Sequence, residues 1–384
     1  MADDVREEAR TFFEEQWDPD LTLREWWVRL ADSGYAVPAW PKEWFGRTMS
    51  GEQVAIVNEE REKVGAPGAP AGLGVMLAGP TIVTHGPDDV RERYLRDIVT
   101  GEKAWCQLFS EPGAGSDLAS LATRAVRDGD VWIVTGQKVW TTWAHISDYG
   151  VLLARTDGDV PKRQGITYFL VDLHQAGVDV RPLRHIGGEV DFNEVWLDNA
   201  VVPDDMRIGP VGEGWKVAGA TLSGERQMVA GAGSGGVDRI GGRGTDALLE
   251  LAQARGRADD PYVRDALMRV YSEERIRSWT NQRVRAQLKS GRPPGPESSV
   301  GKVHQGTLNQ RIQMLAVDVL GADAIAWTGD ALPPEVRGML RSRANTIEGG
   351  TTEVNKNILG ERVLGLPREP DPYHGAPWRD IPRS

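Results

Sequence analysis

Two runs, about one hairpin apart, carry the residue types that could do chemistry in this chain. Phe109–Asp117 (FSEPGAGSD) supplies small residues, exposed backbone N–H groups and two hydroxyls, Ser110 and Ser116. That set suits an anionic or carbonyl-rich ligand that approaches the main chain closely. Gly136–Thr142 (GQKVWTT) ends in an indole with a hydroxyl two residues on. Side chains alternate along a strand, so Trp140 and Thr142 are expected on one face, the first stacking on an aromatic ring and the second hydrogen-bonding its edge. Together the runs read as two walls of one flat pocket.

The elements that must position these walls follow from periodicity. From Asp3 to about Glu102 the pattern is helical, with VREEARTFFEEQW and LREWWVRLADSG amphipathic, SGEQVAIVNEEREKVG opened by a Ser50/Gln53 capping box, and Pro87 at a helix start. From Ala104 to Ile208 the period is two. Strands are expected in TRAVRDGDVWIVTG, turning at Asp128-Gly129, and in YGVLLART, GITYFLVDL, VDVRPLRHI and FNEVWLDNAVVP. Regular strands separated by turn residues predict an antiparallel β-barrel or sandwich. Long helical patterns return after Gly214 and predict a bundle. The fold class is therefore α+β, in three parts: an N-terminal helical domain (1–103), a central β-domain (104–208) and a C-terminal helical bundle (209–384).

Two stretches are decoys. The aromatic loop Trp40–Phe45 reads as packing against the next subdomain rather than as a ligand box, because aromatics chiefly supply buried area. Gly231–Gly236 (GAGSGG) spells a dinucleotide-binding turn but continues a helical run begun at Ser223, so it lacks the strand-before, helix-after context that the fingerprint needs.

Composition sets further bounds. A length of 384 residues fits two or three packed subdomains, and 40% hydrophobic residues suffice for a sizeable interior. A net charge of −11 argues against a nucleic-acid partner. The acidic N-terminus is unlike a signal peptide, and no apolar run reaches membrane-span length, so a cytoplasmic protein without a membrane span is expected. One cysteine, Cys106, excludes an intrachain disulfide and reads as a buried strand residue; the six histidines show no ligand spacing, so no metal is expected.

At E-P-G-A-G-S-D and G-x-K-x-W-x-T the chain resembles the acyl-CoA dehydrogenase family, and FNEVWLDNAVVPDD, GEGW and NTIEGGTTEVNKNILGERVLGLP extend the resemblance along nearly its whole length. The resemblance implies FAD as cofactor, an acyl-CoA substrate oxidised to the 2-enoyl-CoA in fatty-acid or lipid β-oxidation, and an electron-transferring flavoprotein as acceptor. It implies cofactor contacts at Gln107, Phe109, Ser110, Gly115, Ser116, Trp140, Thr141 and Thr142, and substrate contacts at Ser116, Ser223, Arg226 and Gly350. Family members are dimers or tetramers in which a neighbouring subunit completes the FAD site, which maps here to Arg255, Thr351 and Glu353. Around Arg255 the pattern departs, since Ala258 and Asp259 stand where Phe-Gly is usual, and Asp318 and Ala322 where Gln and a second Gly are.

Abstracting an α-proton beside a thioester needs a carboxylate base. Many family members place Glu immediately before Gly-Thr near the C-terminus, but that position is Gly349 here, which could offer only its backbone N–H to the thioester oxygen. Glu348, one residue earlier, points another way on any regular backbone and is the fallback. A second family solution puts the base just before an Arg on the first long C-terminal helix, and Ser223-Gly224-Glu225-Arg226 matches it, which makes Glu225 the preferred base. Two alternatives stand beside this reading: a base-deficient subunit of a heteromeric dehydrogenase, and a flavin oxidase or monooxygenase on the same fold.

Overall fold

The structure, a computed structural model, describes residues 2–229, 244–289, 295–329 and 332–382. The Gly231–Gly236 run lies outside them. Five helices come first: α1 (Ala2–Gln16), α2 (Leu23–Ser33), α3 (Gly51–Lys63), α4 (Gly79–His85) and α5 (Asp88–Thr100). The capping box at α3 forms in both directions, with Gln53 N–H to Ser50 Oγ at 3.3 Å and Ser50 N–H to Gln53 Oε1 at 2.8 Å. Phe13, Trp26, Leu30 and Val57 make the helical core, and Trp40 and Phe45 pack against both it and the core of the sheet. The Trp40–Phe45 loop is thus packing, as its composition implied. One π-helical turn, Gly74–Ala78, leads into α4.

The sheet contains β1 (Trp105–Leu108), β2 (Arg124–Asp128), β3 (Val131–Thr142), β4 (Tyr149–Arg155), β5 (Ile166–Asp172), β6 (Val178–Leu183), β7 (Phe192–Pro203) and β8 (Arg207–Ile208). Its order is β6-β7-β3-β2-β4-β5-β8, with β1 alongside β4. The sheet is mixed rather than purely antiparallel, because β1 runs parallel to β4 from Trp105↔Tyr149 to Leu108↔Leu152 and β2 meets β4 in parallel at Arg124↔Arg155. It does not close into a barrel. β4 and β5 are buried almost throughout, Val151 to Ala154 and Ile166 to Val171, as befits strands covered on both faces. Cys106 is fully buried, and burial pushes its thiol up to about 12, so it is an inert core residue.

The helical remainder contains α6 (Gly214–Val229), α7 (Thr245–Ala254), α8 (Pro261–Lys289), α9 (Ser299–Leu320), α10 (Pro334–Ser342) and α11 (Thr352–Arg362). Among the described residues no helix is long and apolar enough to cross a membrane. The chain forms two compact units: Met1–Leu183, Val190–Gly224 and Asp371–Ser384 make the first, and Arg184–Glu189 with Glu225–Pro370 the second. Leu248, Val263, Leu267, Leu308, Ile312 and Val319 are the apolar centre of the second.

Candidate functional site

In the first unit, the two walls are joined by a buried ion pair. Lys138, 0% exposed on β3, donates from Nζ to Glu111 Oε1 at 2.8 Å and to the Phe109 carbonyl at 3.0 Å. Glu111 also accepts from the backbone N–H groups of Ala122 (2.7 Å) and Thr123 (2.9 Å), which closes the Glu111–Thr123 loop on itself. Val139 N–H donates to the Ser110 carbonyl at 2.9 Å, aligning the turn with the strand. Burial works against ionising Glu111, but the Lys138 charge and these donors outweigh it and hold its carboxyl below the usual range; burial pulls the Lys138 ammonium down, partly offset by Glu111. Sequence reasoning left both residues without a role. The available signal was a charged residue inside each of two small-residue and aromatic motifs.

Strict alternation along β3 does not hold at the pocket. Pairing with β7 shifts between Lys138↔Val195 and Thr141↔Asn193, an extra residue that makes a bulge, and Trp140 takes the left-handed conformation at φ 59°. Lys138 and Thr141, three residues apart, are therefore the buried positions, while Thr142 is half-buried and Trp140 is 55% exposed, its ring meeting Phe192 edge-on at 5.6 Å. The bulge, not the period of two, presents the indole. A large apolar ring held outward by a strained backbone is a stacking platform.

The residues fit FAD on several counts. The Trp140 indole and Ser116 are exposed, and a Cβ built at Gly113 or Gly115 meets nothing within 4 Å. The Thr141 hydroxyl, fully buried at the bulge, finds no hydrogen-bond partner among the described residues. Gln107 is half-buried at the end of β1. Phe109 is buried edge-on against Tyr168, with ring centroids 5.9 Å apart, so its side chain serves the core and only its backbone could serve a ligand.

Tyr168 extends the site towards α6. Its hydroxyl lies 3.2 Å from Thr221 Oγ1, which lies 2.8 Å from Thr81 Oγ1 on α4. Burial pushes the Tyr168 phenol far up, so it stays protonated. The first half of α6 is thereby fixed to β5 and α4, and position 225 follows Thr221 by one helical turn on the same face. Ser223, Glu225 and Arg226 stand on this helix; the positions of their side chains lie outside what the structure describes.

In the second unit, Glu348 is engaged. It accepts from Arg341 Nη2 at 2.9 Å and Nη1 at 3.4 Å and from Asn345 Nδ2 at 2.9 Å. Asn345 in turn accepts from Asn309 Nδ2 at 2.6 Å, and its carbonyl from Lys302 Nζ. Lys302, Gln305, Asn309 and Gln313 make a buried polar stripe on α9, of which Lys302 and Asn309 hold Asn345, while Asn355 Nδ2 donates to the Gly350 carbonyl at 3.0 Å. Gly349 and Gly350 both lie in the left-handed region, at φ 64° and 88°. A glutamate at 349 would sit there at a cost of about 1–2 kcal/mol. Thr351 caps α11 by accepting from Val354 N–H at 3.0 Å, and Glu353 is exposed on its first turn. Arg255 is ion-paired with Asp323, so the guanidinium expected to complete a neighbour's FAD site already holds a carboxylate.

Family models for the N-terminal, middle and C-terminal domains of acyl-CoA dehydrogenases match residues 1–102, 106–200 and 212–364. The acyl-CoA dehydrogenase IpdE1 of Mycobacterium tuberculosis is 38% identical over 352 residues, covering 90% of this chain and 88% of its own. Among solved structures, the Tcur3481-Tcur3483 steroid ACAD is 27% identical with a TM-score of 0.76, over 96% of this chain and 98% of that one. The ChsE4-ChsE5 complex of Mycobacterium tuberculosis is 29% identical with a TM-score of 0.73, over the same shares of the two chains.

Proposed function

The chain belongs to the acyl-CoA dehydrogenase family and is an FAD-dependent oxidoreductase, and from that premise we propose that it converts an acyl-CoA thioester to the 2-enoyl-CoA and delivers the electrons to an electron-transferring flavoprotein. The observation that carries this reading is the Glu111–Lys138 pair, which fuses the small-residue turn and the indole-bearing strand into one rigid wall. FAD, when bound, accepts the β-hydride. Trp140 offers the stacking face, Ser110, Ser116 and Thr142 the polar contacts at its edge, and Glu225 the carboxylate that takes the α-proton. The Gly349 N–H is assigned to the thioester oxygen, where enolate charge develops. Ser223, Arg226 and Gly350 line the substrate. The similar structure described as a steroid ACAD supports a sterol-derived acyl group.

The Arg255–Asp323 pair, with Asp318 on the same unit, favours a second reading of the assembly. An arginine already neutralised by the Asp323 carboxylate is a poor contact for an identical neighbour's FAD, and two of the similar structures are two-component proteins by their descriptions. In this reading the chain works in a heteromer whose other subunit supplies the missing contacts.

The test of the site is Trp140→Ala. The variant should bind FAD about tenfold or more weakly, because base–aromatic stacking of this kind contributes about 1–3 kcal/mol. Wild-type protein given an electron acceptor should form a product two mass units below the acyl-CoA. Undiminished FAD binding in the variant would contradict the assignment of the stacking face.

A further inference from the structure

The C-terminal residues return to the first unit and lie on the β4–β5 loop. Pro377 bridges Pro161 in antiparallel fashion, Trp378 N–H donates to the Val160 carbonyl at 2.9 Å, and Arg379 N–H donates to that of Gly158 at 3.1 Å. A 2.6 Å ion pair, Arg379 with Asp159, adds to the contact. The Trp378 indole covers the Arg155 guanidinium, 4.5 Å from ring centroid to Cζ, and its Nε1–H donates to the Ser120 carbonyl at 3.3 Å.

Arg155 is the hub under this ring. Buried at the end of β4, it donates from Nη2 to the Ala119 carbonyl at 2.6 Å and from Nη1 to the Lys162 carbonyl at 2.6 Å, with Leu121 O at 3.3 Å from Nη2. Its backbone N–H donates to the Thr123 carbonyl at 2.6 Å. The carbonyls it gathers belong to the segment that directly follows Ser116 and to the loop that touches it. Asp117 accepts from Lys162 Nζ at 2.7 Å and from Ser120 Oγ at 2.5 Å. One end of the turn is thus fixed within the sheet by Glu111 and Lys138, and the Ser116 end is fixed through Arg155. The carbonyls orient the guanidinium within its own plane, and Trp378 stacks over that plane, shielding the bonds from water and adding a cation–π contact.

We propose that residues 371–382 are a strap that positions the Ser116 end of the cofactor turn, Trp378 acting through Arg155 and Ser120 to retain FAD. The inference rests on the reading that this turn holds FAD. Trp378 is a positioning residue that need not touch the cofactor. Because coupling between two sites is reciprocal, FAD must also stabilise the seated strap by the same factor.

The test follows FAD release from the purified holoenzyme by the rise in flavin fluorescence. Trp378→Ala should release FAD about tenfold faster, the scale of one desolvated cation–π contact. Trp378→Phe, which keeps a ring over Arg155, should stay within about threefold of wild type on the same scale. A second measurement needs no variant: trypsin cleavage after Arg379 should be slower with FAD bound than after the flavin is stripped. Trp140→Ala is the comparator. If Trp140→Ala loses FAD and Trp378→Ala holds it like wild type, the strap is refuted and the flavin site stands. If neither releases FAD faster, the flavin reading fails and takes the strap with it. Equal cleavage after Arg379 with and without FAD also overturns the proposal.

Discussion

Replacing Glu225 with Gln is expected to slow flavin reduction by an acyl-CoA about 10²- to 10⁴-fold, the usual contribution of a positioned general base, while FAD remains bound. The expectation rests on three observations. Glu348, the nearest carboxylate to the position where many family members carry the base, has its oxygens committed to Arg341 and Asn345. The Gly349–Gly350 turn beside it has a backbone suited to glycine rather than to a residue with a side chain. Helix α6, in contrast, is fastened one turn before Glu225 by Thr221 to Tyr168 and Thr81, and Tyr168 packs on Phe109 of the cofactor turn. Gln keeps the size and polarity of the side chain and removes its basicity, so the loss should fall on the chemical step with substrate affinity little changed. Glu348→Gln should reduce the rate far less, by weakening support for the Gly349 turn. If stopped-flow traces show Glu225→Gln reduced as fast as wild type and Glu348→Gln slowed, the two assignments exchange.

The second large effect concerns Lys138. Truncation to Met leaves the Glu111 carboxylate buried without its cation, and breaking such a pair costs about 3–5 kcal/mol. Lys138→Met should therefore lower stability in denaturant unfolding by that order and impair FAD retention together, since the pair joins the turn to β3. The double variant Glu111→Gln/Lys138→Met should recover much of the loss, because both charges are gone. A pH dependence follows from the same pair. Glu111 has a folded-state pKa below its usual 4.5. Its contribution is present above the unfolded value and disappears as pH falls through the folded one. Wild type should lose stability on acidification in the range below about 4.5, and Glu111→Gln should flatten that limb. An unchanged acid limb, or a double variant no more stable than Lys138→Met, would count against the pair as the joint of the site.

Much of this architecture was legible from the chain, and the exceptions have physical reasons. The order of helices, strands and helices follows from periods of 3.6 and 2, and the Ser50/Gln53 box marks α3 as formed. Helix α10 carries no such capping box, since Pro334–Ser342 is short and its N-cap, Pro333, has no side-chain acceptor to cap with. Parallel contact between β1 and β4 is invisible to alternation, which records faces but not partners. The exposed indole of Trp140 depends on a bulge, a local departure from the very period used to place it. The polar stripe on α9 reads as surface in sequence, yet Lys302 and Asn309 are buried with Asn345 as their partner, and Gln313 is buried against Asn309. Trp378 meets Ser120 across 258 residues, and no local pattern signals such a contact.

Substrate oxidation is decided by anaerobic titration of the purified, flavin-loaded protein with short, branched, long and sterol-derived acyl-CoAs, following the oxidised flavin band near its visible maximum. One class, the sterol-derived, is expected to bleach the band at about one equivalent per flavin and to yield the matching 2-enoyl-CoA. A flavin that stays oxidised with every thioester, in the protein alone and in complex with any co-purifying subunit, would contradict it.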